Sequence, residues 1–119
     1  MISSNVVTIF GIKNCDTVRK ARRWLDGHAV EYRFHDVRSD GLSRTKLEGW
    51  VRTLGWEKLL NRRGTTWRKL PEAVRDNINK GTAVKLMLEQ PAMIKRPVLD
   101  LGNSLHLGFN EESWTQLFQ

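Results

Sequence analysis

Apolar and polar residues change rhythm several times along this chain, and each change marks an element. Val6-Val7-Thr8-Ile9-Phe10 is an apolar, β-branched run, the pattern of a buried strand. From Cys15 to Gly27 the period lengthens, with Val18, Ala21 and Leu25 at helical spacing and Arg19, Lys20, Arg22 and Arg23 on the other faces. Glu31 to Val37 alternates polar and apolar, which predicts a second strand with one wet face. Strand, helix and strand make a βαβ unit. Leu47, Trp50, Val51 and Leu54 then fit one face of an amphipathic helix, begun by Ser43 and closed by Gly55. Trp56 to Leu60 predicts a short further turn, and Asn61 to Lys69, which has no period, an ordered loop. Pro71 opens a helix with Val74 and Ile78 turned inward and Gly81 at its end, and Thr82 caps another that carries Val84, Leu86, Met87 and Leu88 as far as Pro91. Two short alternating runs, Pro97 to Leu101 and Ser104 to Phe109, flank Gly102-Asn103, a hairpin signal. Asn110 caps a last helix that has Trp114, Leu117 and Phe118 on its apolar side and Glu111 and Glu112 in its first turn, where the dipole favours acids.

The resulting order is β, α, β, several helices, β, β, α. With the helical block at about 42–91 treated as an insertion, this is an α/β chain in the thioredoxin-like arrangement, βαβ then ββα. Its 119 residues, 39% of them hydrophobic, suit a single domain over 1–119.

Cys15 is the only cysteine, and it stands where the first strand gives way to the first helix. Unpaired amides and the positive dipole end of a helix N-terminus stabilise a thiolate, and Lys13 adds a positive charge nearby. A lone cysteine excludes an internal disulfide, and Val18 in the fourth position excludes a C-x-x-C redox pair. The net charge of +7 favours an anionic partner. Nucleic acid is a poor candidate, since there is no zinc-finger spacing, no aromatic base-stacking strand and no helix-turn-helix pattern. His28, His35 and His106 lie far apart without ligand spacing, so no metal is expected, and His35 reads as packed on its strand. The five tryptophans read mainly as core, with Trp67 a candidate pocket wall. Met1 to Asn5 lacks the features of a signal peptide and no run is long enough to span a membrane, so a cytoplasmic monomer is the expectation.

Several blocks carry a resemblance. Phe10-Gly11-Ile12-Lys13-Asn14-Cys15-Asp16-Thr17, Lys20-Ala21-Arg22-Arg23-Trp24-Leu25, Tyr32 to Asp36, Leu60 to Leu70 and Ile94 to Leu99 are together similar to the arsenate-reductase-like (ArsC/Spx) family, most of all to its YffB branch. The resemblance implies that Cys15 is the catalytic nucleophile, that Arg96 is an anion-binding arginine, and that Pro97 follows a cis peptide bond opposite the cysteine. Arsenate reductases of this type use three arginines. The second falls here at Arg62, one place out of register, and the Leu105 to Phe109 stretch that would hold the third has none. Spx-type regulators carry the C-x-x-C switch that Val18 removes. The resemblance therefore implies a glutathione-dependent thiol oxidoreductase with no bound cofactor and glutathione as co-substrate. Lys13, Asn14, Arg62, Arg63, Arg96 and Pro97 are its candidate binding residues, and the tripeptide, another small anionic thiol, a glutaredoxin or a thiol-containing protein its candidate partners. The alternatives are an arsenate reductase working with glutathione and glutaredoxin, and a non-enzymatic Spx-like regulator that binds a protein partner such as RNA polymerase.

Overall fold

The computed structural model describes Val6–Gln119, and Met1 to Asn5, where the absence of a signal peptide was read, lies outside the described residues. The chain forms two compact units. One comprises the chain up to Val37 together with Arg96–Gln119, and the other is Arg38–Lys95.

The first unit holds a four-stranded sheet in the order β2-β1-β3-β4. Strand β1 (Thr8–Gly11) runs parallel to β2 (Arg33–Asp36) and antiparallel to β3 (Val98–Asp100), which pairs antiparallel with β4 (Leu105–Leu107). A parallel β1 and β2 require a crossover, and helix α1 (Asp16–Gly27) supplies it. The β3–β4 hairpin turns at Gly102, whose φ of 90° suits a residue without a Cβ. Topology and element order are those of the thioredoxin-like arrangement.

Ile9 and Leu99 are cross-strand partners on one face of the sheet, and α1 lays Ala21, Trp24 and Leu25 there. The last helix (Glu111–Leu117) adds Trp114, whose indole N–H donates to the Gly108 carbonyl at 3.2 Å and whose ring meets Trp24 and Phe109 edge-on. Asn110 caps this helix as expected, accepting from the Ser113 amide at 2.9 Å. Trp114 is buried, and truncating it opens a large cavity. Trp114→Ala is expected to cost about 3–5 kcal/mol of stability in urea titration.

The second unit is helical. Helix α2 (Arg44–Leu54) is as expected, with Ser43 accepting from the Lys46 amide at 3.1 Å, Leu47, Trp50 and Val51 buried, and Gly55 at a φ of 91° ending it. The turn read after it is α3 (Trp56–Leu59). Three expectations are corrected beyond that point. The stretch read as loop contains a one-turn helix, α4 (Thr65–Arg68), held by the Arg68 and Lys69 amides on the Gly64 and Thr65 carbonyls and by burial of Trp67. Helix α5 (Glu72–Asp76) buries no residue, and Val74, expected inside, is 37% exposed. Gly81 does not end a helix. It lies in the first turn of α6 (Lys80–Glu89), because Asn79 is the N-cap and exchanges hydrogen bonds with Thr82, which is therefore not the cap itself. After α6, Pro91–Met93 makes a 3-10 turn, and Leu60 bridges to Ile94.

Candidate active site

Cys15 occupies the N-cap of α1, outside the helix with extended φ and ψ of −102° and 125°. Its amide turns back to the Ile12 carbonyl at 3.2 Å, and its carbonyl accepts the Arg19 amide at 2.9 Å, so the residue is fixed on both sides. Gly11 begins the loop in close contact with α1: a Cβ there would stand 2.6 Å from a Val18 methyl group. Only glycine lets β1 and α1 approach this far, and the short approach leaves the cysteine at the helix end rather than within it.

Partial burial pushes the Cys15 thiol up, while the Val18 amide, the Arg96 guanidinium and the Thr17 amide push it down. The lowering influences win, and the thiol titrates below an ordinary cysteine. The two amides belong to the first turn of α1, and their help is hydrogen bonding from backbone N–H groups to the sulfur. Arg96 acts both by hydrogen bonding and by charge. Lys13 was expected to contribute. Its side chain is exposed and is not among the groups that shift the thiol.

Arg96 is half-buried and precedes Pro97, which is buried behind a cis peptide bond as the resemblance implied. Gly108 anchors this segment by donating its amide to the Pro97 carbonyl at 2.8 Å. Cys15, Arg96 and Pro97 thus belong to one unit, with Lys13 and Asn14 exposed on the same loop as the cysteine. The chemistry available is that of an electron-rich sulfur with a two-point anion fork beside it.

Arg62 and Arg63 belong to the helical unit. The Arg62 guanidinium lies 5.8 Å from the Trp56 ring centroid and 5.6 Å from that of Trp67. The Arg63 amide donates to the Asn61 side chain at 3.0 Å, and its carbonyl accepts from Arg68 Nε at 3.2 Å. Such cation–π contacts at an exposed site contribute only about 0.5–1 kcal/mol. Arg62→Ala is accordingly expected to lower the melting temperature by no more than a few degrees. His35 packs against Phe10 at 5.0 Å, His28 stacks on Trp24 at 3.9 Å, and His106 pairs with Ser104 at 2.9 Å. Among the described residues no three His, Cys, Asp or Glu side chains gather as metal ligands would.

Sequence reasoning missed Asp36. Its carboxylate is buried at the end of β2 and accepts the Lys13 amide at 2.9 Å. The only sequence signal was an acid closing a strand whose sheet partner is the start of the cysteine loop, and that pairing becomes visible only in the fold.

Residues 10–117 match the profile of the ArsC family. The chain belongs to the ArsC family. Two solved structures share its fold at substantial identity. A protein called YffB is 47% identical, with a TM-score of 0.88 over 93% of this chain and 97% of the other. An arsenate reductase (ArsC) related protein from Brucella melitensis is 49% identical, with a TM-score of 0.80 over 100% of this chain and 99% of the other. The global transcriptional regulator Spx of Streptococcus mutans is 29% identical over 90% of this chain and 79% of its own length. The relatives of this ArsC-family chain thus include an arsenate-reductase-related protein and a transcriptional regulator.

Proposed function

We propose that this ArsC-family chain is a single-cysteine, glutathione-dependent thiol oxidoreductase. The observation that carries the reading is the Arg96 guanidinium acting directly on the Cys15 thiol, which couples a nucleophile to a carboxylate fork within one unit. The Cys15 thiolate attacks the glutathionyl sulfur of a mixed disulfide, forming a Cys15–glutathione disulfide and expelling the substrate's sulfur as a thiolate. A second glutathione thiolate then attacks the glutathionyl sulfur, releasing the Cys15 thiolate and leaving oxidised glutathione. Both electrons come from glutathione, and no second protein cysteine is needed. Arg96, with Lys13 and Asn14 on the cysteine loop of the same unit, is the candidate set for the tripeptide's carboxylates. Such a thiol suits a reducing compartment, and the reading places the protein in the cytoplasm. No helix among the described residues is long and apolar enough to cross a membrane.

The test is turnover of a glutathionylated peptide with reduced glutathione, run beside arsenate. Saturable, Cys15-dependent release of the peptide thiol is expected, with arsenate turnover negligible next to that of an arsenate reductase assayed in parallel. Robust arsenate turnover would reverse the assignment.

A second reading is a binding module akin to the Spx regulators. A cavity of about 340 Å³ in the helical unit favours it, lined by Arg44, Glu48, Arg52 and Lys80 around Val51 and Val84. Against it, Val6 and Val74 are the only exposed large hydrophobics among the described residues. Partner binding unchanged in a Cys15→Ser variant would favour this module over the enzyme.

A further inference from the structure

Asp36 is the buried acid among the described residues, 7% exposed, and the thiol chemistry proposed for Cys15 makes no use of it. A carboxylate is costly to bury and is retained where it accepts hydrogen bonds that hold something in place. One of these is known: the Lys13 amide donates to Asp36 Oδ2 at 2.9 Å, across 23 positions of sequence. On either side of Asp36, β2 is tied to the same loop. Asp36 is the sheet partner of Gly11, and the Val37 amide donates to the Gly11 carbonyl at 2.9 Å.

The segment from Gly11 to Cys15 is therefore held at both ends and at its middle. Its start is pinned to β2 and packed on Val18. Its end is fixed by the Cys15 amide on the Ile12 carbonyl and by the first turn of α1. Its exposed middle, Lys13-Asn14, is anchored by the Asp36 carboxylate through the Lys13 amide. The bond is part-buried, and losing the acceptor would leave the Lys13 amide without this partner.

We infer that Asp36 is a positioning residue for Cys15, acting through the Lys13 amide to hold the loop in the shape that keeps the sulfur against the α1 amides and Arg96. Its role is geometric. Asp36 is not among the groups that shift the Cys15 thiol, and a negative charge at this loop would oppose a thiolate rather than support one. This inference rests on Cys15 being a reactive thiol, but not on glutathione being its partner.

The experiment is iodoacetamide alkylation of the full chain against pH, for wild type, Asp36→Ala and Asp36→Asn, with exchange of the Lys13 amide followed by NMR. Asp36→Ala removes the acceptor and is expected to raise the alkylation midpoint, to slow alkylation at pH 7 about three- to tenfold, and to lose protection at the Lys13 amide. Asp36→Asn retains an acceptor oxygen and is expected to stay within about twofold of wild type and keep that protection, since the inference assigns the effect to the hydrogen bond and not to the charge. Asp36→Ala alkylating like wild type, or Asp36→Asn shifting as far as Asp36→Ala, would overturn it. Should Asp36→Ala not fold, Asp36→Asn decides: a wild-type midpoint with a protected Lys13 amide supports the inference, and a raised midpoint overturns it. A wild-type midpoint at the free-thiol value would instead sink the reactive-thiol reading itself, so the two failures are distinct.

Discussion

Cys15→Ser is expected to reduce release of glutathionylated peptide to the uncatalysed background while leaving the fold intact. A serine hydroxyl does not ionise near neutral pH and cannot form the mixed disulfide, and the chain has no other cysteine to substitute for it. The residue is only partly buried, so the isosteric change should move stability by no more than about 0.5 kcal/mol near neutral pH. Linkage gives this comparison a pH signature. The folded thiol titrates below the unfolded one, so ionisation stabilises wild type fully above the unfolded value, about 8.5, and that contribution disappears as the pH falls through the folded value. Urea titrations should therefore show wild type gaining on Cys15→Ser as the pH rises toward 9, and the two converging in acid.

Removing Arg96 should produce the second large effect, and its size separates two roles. Arg96→Ala withdraws both the hydrogen bond and the charge that lower the thiol, so the alkylation midpoint should move up toward about 8.5. Each unit of rise cuts the thiolate fraction at neutral pH about tenfold, but a more basic thiolate is more nucleophilic, with a Brønsted slope of about 0.4–0.5, so the net loss is only about threefold per unit. Iodoacetamide, which is uncharged, should report that modest loss alone. Glutathione should show a larger one, because the fork that meets its carboxylate is also gone. Arg96→Lys keeps the charge and loses the fork: its alkylation midpoint should stay nearer wild type while glutathione transfer still falls. Equal losses for both reagents would confine Arg96 to tuning the thiol.

The strength of each sequence signal explains what was legible in it. The apolar run ending at Phe10, the α1 stripe of Val18, Ala21 and Leu25, and the Gly102 turn each rest on local physics that tertiary context did not override. Cys15 at a helix start was readable for the same reason, since N-cap placement follows from where the apolar period begins. The region around α4, α5 and α6 was not readable in this way. One turn of helix has no period to detect, and Gly81 looked like a stop while Asn79 and Thr82 three residues apart formed the true start. Val74 follows the spacing of a buried face, yet α5 is too short to bury one. Asp36 and the cation–π contacts of Arg62 with Trp56 and Trp67 depend on the folded chain. Arg96 was placed by family resemblance. Its action on Cys15 joins residues far apart in the chain, and no spacing rule predicts it.

The central claim is that Cys15 is an activated thiolate that exchanges with glutathione, and the most direct test is an intact mass spectrum of the purified chain after incubation with oxidised glutathione at neutral pH. The account predicts one glutathione per chain, mapped to Cys15 by peptide digestion, absent in Cys15→Ser and removed by added reduced glutathione. A chain that stays unmodified under conditions that glutathionylate a free-cysteine peptide would contradict it.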